Sequence, residues 1–487
     1  MESNSGNTSD YTFDSSDCSW SDDLPKRWKE ECAVFGVWND PEASKVIFLG
    51  LYAQQHRGQE SAGIVTLDED NHHVIARGMG LVGDIFKEPD LRRLKGRAGI
   101  GHVRYSTTGR NLLSNAQPLT AKLNRFPVAM AHNGNLVNAE MLKSELQEDG
   151  AIFQGTNDSE SVLHLIARNK NTNFMEGLIE SVKRLEGAFS IVFLNDDALY
   201  AARDPMGFRP LVLGKRDYDG GSSYTVASET CALDLIGADY VREIKPGEII
   251  KISASGLESV MYNETKELKR CVFEHVYFAR PDSNVFGRHV YTSRKKMGAA
   301  LFKESPVDAD IVVPVPDSGL PAAIGYAEAS GIPFELGIIR NHYVGRTFIQ
   351  PGQSIRTSGV KIKLNPQRAI IEGKRVILID DSVVRGTTSK KVIDLVRKAG
   401  AKEVHLRVSS PPTVGPCYYG VDTPDKEQLI ASKLTTKEIC DHIGADSLEY
   451  LSHEGLVSSV SEDTEEDWGF CSACFTGKYP TDIPKSL

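Results

Sequence analysis

The sequence predicts two unlike domains in tandem: an α+β half built on antiparallel sheets, then an α/β half built on a doubly wound parallel sheet. Three observations point there. The 487 residues exceed one average domain and leave room for two of about 200 residues or more. Up to about residue 262, short β-prone runs are punctuated by Gly and Asn turns, whereas beyond the polar stretch Ser253 to Lys269 strands alternate with helices. Ahead of both, residues 1–31 carry 8 acidic against 3 basic side chains among many Ser and Asn, a composition that cannot bury enough apolar surface to fold. The expected division is a disordered leader (1–31), a first domain (32–262) and a second domain (263–487).

Taken in order, Cys32-Ala-Val-Phe-Gly-Val-Trp38 is apolar and β-prone and opens the first domain. Phe189–Leu194 and Ala198–Arg203, separated by Asn195-Asp196-Asp197, read as a hairpin. In the second half Ile311–Val315, Leu320–Ala329 and Phe334–Ile339 form one β-α-β pattern, and Arg375 to Val408 forms another. The tail carries an acidic run, Glu462 to Asp467, which reads as a solvated loop. No internal repeat is present.

Composition narrows the functional classes. With 40% hydrophobic and 25% charged residues the chain is an ordinary globular one, and its net charge of −10 argues against a sequence-independent grip on nucleic acid. No apolar run approaches the roughly 18 residues that span a bilayer, and no apolar segment follows Met1 as in a secretory signal. A plastid or mitochondrial transit peptide would be Arg-rich and poor in acids, unlike this leader, so the cytosol is the expected compartment. Eight Cys are too few for a disulfide scaffold and suggest a nucleophile, a metal site or buried thiols.

The strongest local signal is Val376-Ile-Leu-Ile-Asp380-Asp381-Ser-Val-Val-Arg385-Gly386-Thr387-Thr388-Ser389, ahead of a helix with apolar positions 392, 393, 396 and 399. A buried parallel strand delivers two carboxylates to its carboxyl end, where open α/β sheets bind ligands. The Gly-Thr-Thr turn then offers backbone N–H groups, hydroxyls and a positive dipole end to a phosphate. Paired carboxylates beside a phosphate cradle suit ribose hydroxyls or Mg²⁺. This arrangement resembles the signature of type I phosphoribosyltransferases, which bind phosphoribosyl diphosphate. Val313-Pro-Val-Pro-Asp317-Ser318-Gly319 ends another strand on a constrained turn, similar to their pyrophosphate loop. Arg340 to Phe348, with Arg346, resembles their mobile lid.

The first half offers different chemistry. Cys32 becomes a nucleophile with its own α-amino group as base if the leader is removed, although a lone Cys in a strand is ordinarily a buried thiol. Five further pieces alter that balance: His56 to Gly63, Gly101 to Thr107, Asn115 to Pro118, His132 to Asn135 and Asp158-Ser159-Glu160. Together with Glu31 to Gly36 they resemble, in order, the class II glutamine amidotransferase domain of the Ntn-hydrolase type. That resemblance implies a four-layer αββα fold, a glutamine site at Arg104 (for the α-carboxylate) and Asp158 (for the α-ammonium), and an oxyanion hole at Asn133 and Gly134.

The succession of the two domains resembles one family, the amidophosphoribosyltransferases of purine nucleotide synthesis. Cys271 to Ser283 at the junction and Tyr343 to Pro351 are specific to it. The resemblance implies that glutamine hydrolysis feeds ammonia through an internal channel to phosphoribosyl diphosphate, giving 5-phosphoribosylamine, glutamate and pyrophosphate. It implies one Mg²⁺ per subunit at Ser318, Asp380 and Asp381, with Asp317 to Gly319, Arg346 and Arg385 to Ser389 holding the substrate. It further implies feedback inhibition by purine nucleotides and a homotetramer or dimer.

Cys471-Ser-Ala-Cys474 alone reads as a redox pair or half a zinc site. Within the family, Cys271 and Cys417 match the remaining ligand positions of members that carry one [4Fe–4S] cluster per subunit. Cys18, Cys231 and Cys440 read as ordinary thiols. Two departures stand out: Ala33 where the family usually has Gly, and a leader longer than its common propeptide. Glucosamine-6-phosphate or asparagine synthetases would need another second domain, which Asp380-Asp381 argues against. A non-catalytic nucleotide-binding regulator would not need Cys32, Asn133 and Asp158 together.

Overall fold

The computed structural model describes residues 30–106, 113–123, 126–169, 173–265, 267–341, 364–421, 423–461 and 469–483. The leader up to residue 29, Cys18, most of the expected lid with Arg346, and the acidic run of the tail lie outside the described residues.

The first domain is a sandwich of two sheets. One contains β1 (Glu30–Trp38), β2 (Ser61–Leu67), β3 (His73–Met79), β4 (Ala98–Ser106), β9 (Val212–Tyr218), β10 (Gly221–Ala227) and β11 (Asp239–Glu243), in the order β11-β9-β10-β1-β4-β2-β3. The other contains β5 (Leu119–Lys122), β6 (Pro127–Leu136), β7 (Gly187–Leu194), β8 (Ala198–Arg203), β12 (Glu248–Ser253) and β13 (Gly256–Met261), in the order β13-β12-β8-β7-β6-β5. All pairings within both are antiparallel, and β7–β8 is the hairpin expected at Asn195.

Alternation along the strands builds the layers. Val34, Ile100, Ala129, Ala131 and Val192 point between the sheets and share one core. Ala33 and Phe35, one step out of phase, pack outward against Ile47 and Leu51 of helix Ala43–Ala53. Val128 and Met130 pack outward on the other side, against Leu142, Val162 and Leu178 of three further helices. Helix, sheet, sheet, helix is the four-layer αββα arrangement.

The second domain holds a four-stranded parallel sheet in the order Ile311–Pro314, Arg375–Asp380, Glu403–Val408, Ser447–Tyr450. Val312, Ile377 and Ile379 face helices Val290–Glu304 and Leu320–Ser330, while Val313, Val376 and Leu378 face helices Thr387–Lys398 and Thr436–Ile443. Both faces are covered, as near-continuous apolar strands require. One expected element differs. Phe334–Ile339 is not a single strand: Phe334 makes an isolated parallel bridge to Val312, and Ile338–Arg340 pairs antiparallel with Leu364–Pro366. Gly337 interrupts that run and lets the chain leave the main sheet. Among the described residues no helix is long and apolar enough to cross a membrane.

Candidate active sites

At one end of the sandwich the inner-face alternation passes from apolar to polar residues. Cys32 continues the parity of Val34, Arg104 that of Ile100 and His102, and Asn133 that of Ala129 and Ala131, so all three belong to the space between the sheets. Cys32 lies opposite Arg104 in the β1–β4 ladder. Ser228 stitches the sheets together: its hydroxyl accepts from the Val34 amide (3.0 Å) and from Asn133 Nδ2 (3.3 Å). Cys32 and Asn133 are fully buried, and among the described residues no partner meets Asn133 Oδ1.

Gly134 follows at φ +149°, where a Cβ would stand 2.0 Å from the Ala188 carbonyl oxygen, so only glycine keeps this strand against β7. Asp158 is placed by accepting from the Leu136 amide (3.0 Å) and from the Ser159 hydroxyl (2.9 Å). His132 Nδ1 lies 2.8 Å from the same hydroxyl, and His102 Nε2 lies 2.9 Å from the His132 carbonyl oxygen. Burial pushes the pKa of His102 down to about 3 and lowers that of His132, which leaves both rings neutral near pH 7. Arg104 is buried and donates from Nη1 to the Asn115 carbonyl (3.1 Å). A thiol, a cation, a carboxylate and amide donors thus share one end of the sandwich, the set needed to bind and open a small α-amino carboxamide.

In the second domain Asp380 and Asp381 stand at the carboxyl end of strand Arg375–Asp380, and both are buried. Burial raises both carboxyl pKa values, and the neighbouring charge of Asp381 raises Asp380 further. Ser318 and Ser382 hydrogen-bond Asp381, the latter at 2.6 Å. Two buried, like-charged carboxylates beside a hydroxyl fit a divalent cation, which would relieve the repulsion. The loop carrying Asp317, Ser318 and Gly319 is pressed onto the same strand end: the Val315 amide donates to the Ile379 carbonyl (2.8 Å). Asp317 is exposed and ion-paired with Arg340. Gly386, left-handed at φ +73°, starts helix Thr387–Lys398, with Arg385, Thr387 and Thr388 exposed and Ser389 buried in its first turn. The amides of that turn face outward from a twelve-residue helix, as phosphate binding requires.

The four cysteines singled out in the sequence line one cavity with Phe208, Phe273 and Tyr419. Cys271 and Cys471 are register partners in a short parallel bridge, Cys474 lies in the short helix Ala473–Thr476 and Cys417 in a loop. Burial raises the thiol of Cys271 to about 12 and also raises Cys471 and Cys474, each further opposed by the charge of its neighbours. Among the described residues the one group of three metal-type donors with ligand atoms within 4.8 Å of each other is Asp68, Asp70 and His72, on a turn. No three of the four sulfurs lie within 4.8 Å of one another, whereas the thiolates on a tetrahedral zinc stand roughly 3.8 Å apart. An apolar cavity lined by four sulfurs, no three of them close together, fits a polynuclear cluster.

Some residues had no role assigned from sequence. Arg57, Glu229 and Glu274, all fully buried, form ion pairs across separations of 172 and 217 residues, which no spacing signals. Arg294, also buried, lies near Asp381 and donates to the carbonyls of His275 (2.8 Å) and Ala279 (2.7 Å). Cys231 is buried and Cys440 half-buried, outside the four-cysteine cavity.

Comparisons agree with this geometry. Residues 102–234 match the glutamine amidotransferase domain family, and residues 295–429 match the phosphoribosyl transferase domain family. The chain is 51% identical over 471 residues to the chloroplastic amidophosphoribosyltransferase of Glycine max, covering 96% of this chain and 81% of that one. A solved structure described as the allosteric regulatory enzyme of purine biosynthesis superposes with a TM-score of 0.88 at 46% identity, covering 93% of this chain and 97% of that one. The glutamine phosphoribosylpyrophosphate amidotransferase of Bacillus subtilis, complexed with ADP and GMP, superposes at 0.87 and 46% identity, covering 93% and 98%. A glutamine amidotransferase sandwich joined to a phosphoribosyltransferase sheet, matched over nearly its whole length, places the chain in the amidophosphoribosyltransferase family, the pentosyltransferases that take the first step of purine biosynthesis.

Proposed function

We propose that Cys32, with its α-amino group freed by cleavage after Glu31, attacks the carboxamide carbon of glutamine. The amine takes the thiol proton, and the developing oxyanion is met by N–H donors of Asn133 and Gly134, worth about 3 kcal/mol each. Arg104 pairs with the α-carboxylate and Asp158 with the α-ammonium. Collapse expels ammonia, which receives the proton, and water releases glutamate from the thioester.

Ammonia then passes through the interior to the second domain and displaces pyrophosphate from C1 of phosphoribosyl diphosphate. The loop Asp317–Gly319 holds the pyrophosphate, Arg385 to Ser389 the 5-phosphate, and Asp380 and Asp381 the ribose hydroxyls. Ser318, Asp380 and Asp381 would hold Mg²⁺, which supplies charge neutralisation on the leaving group. Arg346 would belong to a lid over this site. Cys271, Cys417, Cys471 and Cys474 would hold a [4Fe–4S] cluster that braces the fold. A loop and a strand meet at the boundary between the halves: a Cβ on Gly420 of the second domain would stand 3.0 Å from the Gly134 carbonyl carbon of β6.

The observation that carries this reading is the alignment of Cys32, Arg104 and Asn133 on the inner face of the sandwich, within a chain that also presents Asp380 and Asp381 at a strand end. Cys32→Ala is expected to abolish glutamine-dependent synthesis of phosphoribosylamine while ammonia-dependent synthesis stays within about twofold. Asp380→Ala and Asp381→Ala are expected to lose both. Comparable loss of both activities in Cys32→Ala would refute the two-site division.

The ADP and GMP of the Bacillus subtilis structure support purine nucleotides as inhibitors here, read out by nucleotide titration of the rate. A homotetramer is the assembly proposed, tested by sedimentation. The acidic leader favours the cytosol, although the Glycine max relative is named chloroplastic; a fluorescent fusion of the full chain decides.

A further inference from the structure

The groups assigned to glutamine hydrolysis belong to the first domain, yet the backbone of Cys32 is held through a buried chain of charges that ends in the second. Arg57, with no exposed surface, donates from Nε to the Cys32 carbonyl (3.1 Å). Its other nitrogens go to carboxylates: Nη1 to Glu229 and to Glu274 Oε2 (2.9 Å), and Nη2 to Glu274 Oε1 (2.7 Å). Glu274, also fully buried, accepts a further bond from Arg209 Nη1 (3.0 Å), whose Nε donates to the Tyr419 carbonyl (3.1 Å). The Phe278 ring covers the Arg57 guanidinium at 4.2 Å. Glu274 and Phe278 bound one helical turn that begins three residues after Cys271.

A guanidinium gripped at two nitrogens by one carboxylate has its plane fixed, whereas one contact to Glu229 leaves it free to swing. The direction of Nε follows from that plane, and with it the peptide carbonyl of Cys32. That carbonyl shares its Cα with both the thiol and the amine of the nucleophile, so a small rotation there moves both reacting groups. We propose that Glu274 is a positioning residue for the glutamine half reaction, supplied by the second domain and acting through Arg57 on Cys32. Glutamine is then opened efficiently only when the domain that consumes ammonia is docked. The inference rests on Cys32 as the nucleophile.

The test uses the full-length enzyme carrying Glu274→Gln, which keeps an oxygen acceptor but loses the charge and the second acceptor. Alkylation of Cys32 by a diazoketone analogue of glutamine and the glutamine-dependent kcat are expected to fall about tenfold or more. KM for glutamine should stay within about threefold, because Arg104 and Asp158 are untouched, and ammonia-dependent turnover should keep its wild-type value. Glu274→Asp, which retains the charge, should recover part of the alkylation rate. Alkylation at the wild-type rate, or equal loss of both activities, would overturn the proposal. A parallel Cys32→Ala enzyme separates the two readings. If it keeps glutamine-dependent activity the nucleophile assignment fails, and if it is inactive while Glu274→Gln is unaffected only the present inference fails. Should Glu274→Gln not accumulate folded, the alkylation rate of Glu274→Asp decides, an unchanged rate counting against the proposal.

Discussion

Buried histidines near the candidate glutamine site tie single residues to the stability of the domain. His102 has no exposed surface, and burial holds its pKa at about 3 against an ordinary 6.5. Because the folded value is the lower one, the unfolded chain takes up the proton first as pH falls. The contribution of neutral His102 is therefore complete above pH 6.5 and is lost progressively from there down through about 3. Between pH 7 and pH 5 this single ring should cost about 2 kcal/mol of unfolding free energy. His102→Gln can still donate toward the His132 carbonyl, now 2.9 Å from the ring nitrogen, but does not titrate. Chemical denaturation at the two pH values should give a pH-dependent loss smaller by about that amount in the variant. Equal losses in both proteins would mean that His102 is not the group that links protonation to unfolding.

Between elements, the second site depends on how closely one loop can approach one strand end. Gly319 begins helix Leu320–Ser330, and a Cβ there would lie 2.2 Å from the Ile379 carbonyl oxygen, one residue before Asp380. Gly319→Ala must push the Asp317–Gly319 loop off the strand and separate Ser318 from Asp381. KM for phosphoribosyl diphosphate should rise about tenfold, a loss near 1.4 kcal/mol, while alkylation of Cys32 by a glutamine analogue is unchanged. An unchanged KM would remove this loop from the substrate site. Elements of this kind were legible because their signals are local. Val376 to Ser389 carries strand, carboxylates, turn and helix start in one run, and the β7–β8 hairpin is marked by its Asn-Asp-Asp turn. The expected strand Phe334–Ile339 failed because apolar content alone does not say which sheet a segment joins, and Gly337 turns it away. The roles of Ser228 and Glu274 had no local signal: their partners lie 65 to 217 residues away, so those roles exist only once both sheets and the junction are assembled.

At the scale of the whole molecule, the four-cysteine cavity joins segments that are far apart in the chain. Cys271 sits at the junction and pairs in register with Cys471 of the tail, so one contact spans 200 residues. The amides of Val414 and Gly415 donate to the Cys474 carbonyl (2.9 and 3.1 Å), which brings the turn before Cys417 onto the tail as well. The same region leans on the first domain: Tyr419 stacks on Phe208 at 4.3 Å, Asn135 Nδ2 donates to the Tyr418 carbonyl (2.8 Å), and the Cys271 amide donates to the Phe208 carbonyl (3.1 Å). A cluster bound to all four sulfurs would add its binding free energy to segments that otherwise meet at the full entropic cost of loop closure. Neither half reaction moves an electron, so the contribution of such a cluster would be to the fold. Cys474→Ser is therefore expected to lose iron and acid-labile sulfide together, to melt about 5 °C or more below the wild type, and to expose the Gly134 strand as the Tyr418–Gly420 loop loosens. The loss should fall more heavily on glutamine-dependent than on ammonia-dependent synthesis, because that loop packs on the strand that carries the candidate glutamine site. A Cys474→Ser enzyme that lacks iron, yet melts with the wild type and keeps its glutamine-dependent rate, would make the four cysteines ordinary buried thiols.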